Sequence, residues 1–179
     1  MSNQVFKLRI VADTEEDIFA DILLDSSCHL LSLHQFILDL FKLDPLEMAS
    51  FYLSNDVWDK GEEITLFDMS IEEDESSPKS MESTSIFQIH EKTKKILYVH
   101  DFLNMNIFYV EILDLVPGNQ NHGEIQLIHH FGNYTPKKID TGIDTDEEEI
   151  NMNQFNEIYE EFNEDPLDGD FEELDEDLY

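Results

Sequence analysis

The negative charge of this 179-residue chain is concentrated near its C-terminal end. Residues 141–179 contain seventeen Asp and Glu and no Lys or Arg, whereas residues 1–140 contain the other twenty-five acids and all ten bases. Charge of a single sign at that density opposes compaction. We therefore predict two regions: a folded body over residues 1–140, and an acidic tail over residues 141–179 that carries −17 of the total −32.

The body has the composition of one globular domain. The chain is 41% hydrophobic and contains thirteen Phe, which is enough for a sizeable core. No stretch approaches the roughly 20 apolar residues that cross a bilayer, and the first residues lack the apolar segment of a signal peptide. The single cysteine, Cys28, excludes an internal disulfide. These features predict a cytoplasmic protein without membrane contact.

Hydrophobic periodicity predicts strands and one main helix in the body. In "VFKLRIV", Phe6, Leu8 and Ile10 alternate with Lys7 and Arg9, as in a half-buried strand. Further strands are predicted in "DIFADILL", "SFYLS", "KKILYVHDF", "IFYVEILDLV" and "EIQLIHHFG". The helix is predicted from apolar residues at helical spacing, which are Leu30, Leu33, Ile37, Leu40 and Phe41.

Local signals predict where this helix begins and ends. Ser26 or Ser27 can cap its start, and Pro45 closes the segment. Residues 68–86 have no periodicity and are predicted to form an acidic loop. The element order predicts an α+β fold, with a mostly antiparallel sheet, the helix packed on it, and a β-grasp-like hairpin–helix–strand start.

The acidic tail carries an amphipathic pattern of its own, over about residues 151–163. Its apolar side chains recur at helical spacing and are Met152, Phe155, Ile158, Tyr159 and Phe162. One interpretation is a solvated acidic end. A second is a helix that binds a basic, apolar groove on a partner, and a third is a segment that docks on the protein's own body.

The polar residues do not form a recognised catalytic or metal motif, and we predict no cofactor. His129 and His130 are adjacent on a predicted strand and would point to opposite faces, so they do not converge on a metal. Cys28 and two nearby histidines, His29 and His34, lack a second ligand pair, and the acidic loops do not have EF-hand spacing. No GxSxG or glycine-rich phosphate loop is present, and a lone Cys beside a helix is typical of packing.

The few bases form only small groups, and the chain has a large net negative charge. Residues 92–95 contain three lysines and residues 137–138 contain two, which is too few for a groove that follows a phosphate backbone. The composition therefore argues against direct binding of DNA or RNA. The partners that this charge favours are basic proteins or cations, and the third alternative is no specific partner.

Three segments carry a resemblance to a known family. They are "FKLRIV", "DIFADILLDSSCHLLSLHQFILDLFKLDPLEMASFYL" and, far downstream, "YVHDFLNMNIFYVEI". Together they resemble the plasmid ORF-3-like family, which is named after an open reading frame of an Ri-type plasmid and has relatives carried as passengers in insertion elements. The resemblance covers roughly residues 5–116 and excludes the tail. It implies an α+β fold and no established activity.

Six positions match the motifs of that family. The matches to its Ile-Trp-Arg strand, Leu-His helix and Tyr-Asp-Phe-Gly-Asp-x-Trp-x-His hairpin are Ile18 and Phe19, Leu33 and His34, and Asp101 and Phe102. The departures are Ala20 at the Arg, Leu103 and Asn104 at Gly-Asp, Asn106 at the Trp and Phe108 at the His. Because the replacing side chains cannot transfer a proton, we expect that a catalytic site of the family, if it has one, is lost here. "DFLNMN" is predicted to be a hairpin turn.

Besides a degenerate family member whose body is only a folded scaffold, two functions remain open from the sequence. The first is a non-enzymatic interaction protein whose acidic tail binds a basic partner, with an association to mobile elements implied by the resemblance. The alternative is a hydrolase or nucleic-acid-processing enzyme with a site near the Leu-His helix and the Asp-Phe hairpin, around His34, His100 and Asp101.

Overall fold

A computed structural model describes residues 4–68, 79–117 and 125–139. The chain divides into two units, Met1–Ile139 and Asp140–Tyr179, and all the described residues belong to the first. The predicted helix over residues 151–163 lies outside the described residues. The elements, in chain order, are β1 Gln4–Ala12, β2 Phe19–Asp25, α1 Leu30–Phe41, β3 Ala49–Leu53, β4 Glu63–Thr65, β5 Lys79–Ser80, α2 Ile86–His90, β6 Lys95–His100, β7 Asn106–Pro117 and β8 Ile125–Phe131.

The described strands form one eight-stranded sheet in the order β5-β4-β3-β6-β7-β1-β2-β8. Six of its seven pairings are antiparallel, and only β4 and β5 run parallel. With two helices among the described residues, this is a sheet-dominated α+β fold. The predicted mostly antiparallel sheet is confirmed.

The β-grasp expectation is wrong in its pairing. A hairpin, a helix and a strand do follow one another as β1, β2, α1 and β3. However, β3 pairs with β6, so β6 and β7 separate it from β1. The place beside β1 is taken by β7, which pairs with it antiparallel from Gln4↔Pro117 to Ala12↔Phe108. A β-grasp sheet would have a strand parallel to β1 at that position.

The core lies between α1 and one face of the sheet. Alternate residues of the central strands point into it, and Phe6, Leu8 and Ile10 of β1 are fully buried as the alternation predicts. From α1, Leu33 is fully buried and the ring of Phe41 lies 4.7 Å from that of Phe108 on β7. The contacts of α1 with the strand residues place the helix on this face, and the burial supplies the main driving force for folding.

The start of α1 is capped by tertiary contacts, and the predicted serine cap is wrong. His29 occupies the cap position and its side chain makes no capping bond. Instead, the N–H groups of Leu30 and Leu31 donate to the carbonyl oxygens of Thr84 and Met81, at 2.9 and 3.0 Å. These bonds satisfy amides that would otherwise lack partners at a helix start. Ser27 is unavailable as a cap because its N–H and hydroxyl both bond to the Asp25 carboxylate.

The predicted acidic loop over residues 68–86 is corrected at its C-terminal end. Residues 69–78 lie outside the described residues, whereas Lys79–Ser80 forms β5 beside β4 and α2 begins at Ile86. Ser85 and Gln88 form a capping box at the start of α2. The segment has no hydrophobic periodicity because short elements joined by side-chain hydrogen bonds replace long ones. One example is the hydroxyl of Thr84, which donates to the Ser80 carbonyl.

Among the described residues, no helix has the length and apolar character needed to cross a bilayer. This agrees with the absence of a long apolar stretch from the sequence.

We predict that Lys42→Gly stabilises the protein. Lys42 ends α1 in the left-handed conformation, with φ at 53°, where a side chain is strained and glycine is not. The expected gain is about 1 kcal/mol in the free energy of unfolding, measured by urea denaturation. Lys42→Ala is the matched control, because it removes the same charge and keeps a Cβ at the strained position. A gain of the same size in Lys42→Ala would contradict the conformational cause.

Candidate functional site

The six motif positions are spread over three parts of the fold. Ile18 is buried beside the start of β2, and Phe19 lies on β2, where the guanidinium of Arg9 is 4.8 Å from its ring centroid. Phe19 also contacts the rings of His129 and Phe131 on β8, neither of which is a motif position. Thus the strand motif forms a contact group at the β1–β2–β8 side of the sheet.

The helix motif reaches the neighbouring strand β6. Leu33 is a core residue, and His34 is 4% exposed with its Nδ1 2.8 Å from the hydroxyl oxygen of Tyr98. Burial, with a smaller contribution from His100, lowers the pKa of His34 to about 4. The imidazole is therefore neutral at pH 7. Burial likewise raises the pKa of Tyr98, so the phenol stays protonated.

His100 lies at the end of the same strand and is held by backbone. It is 2% exposed, and its Nε2 donates to the carbonyl oxygen of Asp44 at 2.8 Å, since a carbonyl only accepts. Its ring centroid is 6.5 Å from that of Tyr98. The fold therefore brings His34, Tyr98 and His100 into one buried group, although His34 and His100 are sixty-six positions apart in the sequence.

The turn predicted for "DFLNMN" is confirmed. Asp101 and Met105 adopt positive φ, at 57° and 54°. The Asp101 carboxylate accepts bonds from the N–H groups of Leu103 and Asn104 and from the Asn104 side-chain amide. These bonds, led by the Asn104 side chain, lower the pKa of Asp101. It is thus an ionised turn residue, while Phe102 is 45% exposed beside it.

The two asparagines of the hairpin fasten the last described segment to the sheet. Asn106 is 1% exposed, and its side-chain oxygen accepts from the Tyr134 hydroxyl at 2.6 Å and the Lys137 N–H at 2.7 Å. The side-chain oxygen of Asn104 accepts from the N–H of Ile139. Both residues stand where the family motif has other side chains, and both have structural hydrogen bonds here.

The remaining candidates from the sequence also have structural roles. Burial raises the pKa of the Cys28 thiol, which is 3% exposed, so it is a poor nucleophile. Over the described residues, no group of three or more His, Cys, Asp or Glu could hold a metal ion. His129 and His130 contact Phe19 and Phe41, respectively.

A cleft that the sequence did not predict lies between α2 and the β3–β4 side of the sheet. It encloses about 360 Å³, and a neighbouring cavity of about 280 Å³ shares Leu53 and Lys92 with it. The apolar part of its lining is Leu53, Ile64 and Ile89. The polar part is Glu62, Lys79, Ser83, Thr84, Gln88, Glu91 and Lys92. Neither cavity is lined by His34, His100 or Asp101.

Two ammonium groups meet one carboxylate at the mouth of this cleft. The Nζ of Lys92 lies 2.8 Å from Oε2 of Glu62, and the Nζ of Lys79 lies 3.5 Å from Oε1. The hydrogen bond with Lys92 lowers the pKa of Glu62 and raises that of Lys92, so this pair is ionised at neutral pH. Sequence reasoning missed this site because its members come from three separate segments of the chain, just before β4, on β5 and just after α2. The one available signal was that these lysines are two of only ten bases.

Comparisons with known proteins identify the fold and no family. No family model matches the chain, and no curated protein matches it. A solved structure is similar, that of a protein of unknown function, MM3350, from Methanosarcina mazei Go1. The TM-score is 0.60 with 16% sequence identity, over 76% of this chain and 74% of that one. The similarity therefore concerns the fold alone, and the plasmid ORF-3-like resemblance stays a prediction.

We predict that His34 makes the protein less stable as the pH falls from about 6.5 to 4. The unfolded state binds this proton near pH 6.5 and the folded state only near 4, so the stabilising contribution is complete above 6.5 and lost toward 4. The full loss would be about 3 kcal/mol. Urea denaturation at several pH values should show a shallower decline for His34→Gln.

Tyr98→Phe is the control for this measurement. It removes the hydrogen bond to His34 and leaves the imidazole able to titrate, so it should lower stability at every pH while keeping most of the decline. Identical declines in the wild type and His34→Gln would show that His34 is not the group responsible.

Proposed function

We propose that this protein is a non-enzymatic interaction protein whose acidic tail, residues 141–179, binds a basic protein. The observation that carries the proposal is the charge of the tail, which is −17 with no Lys or Arg. An exposed polyanion raises the rate of encounter with a basic surface and selects against acidic partners. Direct nucleic-acid binding is disfavoured for the same reason.

The apolar residues of the tail supply the second part of the proposed contact. On a helix over residues 151–163, the side chains with helical spacing would form one stripe, which is the pattern of a helix bound in a groove. These anchors are Met152, Phe155, Ile158, Tyr159 and Phe162. Charge would then steer the partner, and burial of the stripe would slow its dissociation.

The described part of the body supports a scaffold role. The residues that could have formed a catalytic site are engaged: His34 with Tyr98, His100 with the Asp44 backbone, and Asp101 with its own turn. These partners, and the burial of the two imidazoles, oppose contact with a substrate in this conformation. The proposal places the protein in the cytoplasm and, through the family resemblance, associates it with mobile elements.

The second candidate is a hydrolase or nucleic-acid-processing enzyme. The convergence of His34, Tyr98 and His100 in one group favours it, and their burial opposes it. A conformational opening would be required to admit water and substrate. Turnover of an ester or phosphodiester substrate that disappears in both His34→Gln and His100→Asn, with folding retained, would establish this candidate over the first.

We predict that the full-length protein binds a lysine-rich amphipathic peptide through the tail. The affinity, measured by fluorescence anisotropy, should fall about tenfold or more between 50 and 500 mM salt because salt screens the attraction between opposite charges. A variant with the seventeen acids of residues 141–179 replaced by their amides should lose this binding. Equal binding by the amide variant would contradict the role of the tail.

A second variant distinguishes electrostatic steering by the acidic residues from binding of the apolar stripe in a groove. Replacing Phe155, Tyr159 and Phe162 by Ala keeps the charge and removes three anchors of the stripe. We expect a faster dissociation rate with a nearly unchanged association rate, measured by stopped flow. An unchanged dissociation rate would show that the tail acts through charge only.

A further inference from the structure

We propose that the cleft between α2 and the β3–β4 side of the sheet binds a small organic monocarboxylate with an apolar body. Lys92 and Lys79 would hold the carboxylate, and the apolar floor would hold the rest of the ligand. This site lies in the body and does not depend on the proposed role of the tail.

The size and lining of the cleft fit an amphiphilic ligand. A volume of about 360 Å³ is at the small end of the range for ligand sites, which suits a body of a few carbon atoms. Three aliphatic side chains, Leu53, Ile64 and Ile89, form the apolar part, and Ile64 and Ile89 are almost fully buried by the core behind them. Lys79 and Lys92 meet at Glu62, so the lining combines aliphatic side chains with an ion-pair group.

The ion-pair group of Glu62, Lys79 and Lys92 carries one surplus positive charge. Lys92 and Lys79 share the single carboxylate of Glu62, at 2.8 and 3.5 Å. With Glu91 included, the charged residues of the lining sum to zero, while residues 1–140 carry −15. The cleft is thus a place on an anionic body where an anion is not repelled. A surplus of one charge matches a monocarboxylate better than a dianionic phosphate.

Gln88 supplies a donor for the second carboxylate oxygen. Its side-chain oxygen accepts from the N–H of Ser85 at 2.8 Å in the capping box of α2. The orientation of the amide is therefore fixed, and its NH₂ group has no hydrogen-bond partner within the described part of the chain. A ligand carboxylate between Lys92 and Gln88 would receive a charge-assisted bond from one and a neutral bond from the other.

The test uses the full-length protein with hexanoate as the probe and two-dimensional ¹H–¹⁵N NMR as the readout. Hexanoate should shift the amides of α2 and β4 in a saturable manner. Hexanamide, which has the same apolar body without the charge, should bind about tenfold more weakly, and inorganic phosphate should bind more weakly than hexanoate. Shifts confined to other regions, or no saturable shift with hexanoate, would overturn the proposal.

Charge-removing variants locate the site. Lys92→Met and Lys79→Met each remove one of the two ammonium groups, and each should weaken hexanoate binding about tenfold. Lys138→Met is the matched control, because it removes an exposed charge from the 125–139 segment, away from the cleft lining. Both cleft lysines are about half exposed, so the variants are expected to fold, as circular dichroism would verify. Equal affinities in the three variants would contradict the site, and equal affinities for phosphate and hexanoate would contradict the ligand class.

Discussion

The pairing of β1 with β7 is the contact on which the rest of the sheet depends. It joins the β1–β2–β8 group to the β3–β6 group, and its partners are about a hundred positions apart in the sequence. Closing so long a loop costs entropy before any contact compensates for it, so we expect this pairing to form late and folding to be slow. The strand that β7 joins in this way carries three fully buried core residues, Phe6, Leu8 and Ile10.

Where the sequence predicts the fold well, an element has enough residues to show a period. The strands β1, β2, β3, β6, β7 and β8 and the helix α1 all correspond to predicted segments. By contrast, β4, β5 and α2 have three, two and five residues, too few for a recognisable pattern. The strand beside β1 could not be predicted in this way, because element order does not determine which strand pairs with which.

The candidate sites also differ in how far the sequence predicts them. The turn at "DFLNMN" could be predicted because Asp and Asn bond to the nearby backbone, and that is a local property of the residue type. The contact of His34 with Tyr98 and the grouping of Glu62, Lys79 and Lys92 could not, because each depends on strands and helices that are distant in sequence. The one sequence signal for the second group is that basic residues are rare in this acidic chain. That signal does not show where in the fold the lysines lie.

The capping of α1 by the carbonyls of Met81 and Thr84 has a consequence for biosynthesis. The helix lacks a local start signal, so a nascent chain that has emerged only as far as β3 exposes the N–H groups of Leu30 and Leu31 to water. Those bonds can form only after residue 84 leaves the ribosome. The start of α1 therefore acquires these hydrogen-bond partners only after residue 84 has been synthesised. A ribosome pause before that point would leave the apolar face of the helix accessible to chaperones.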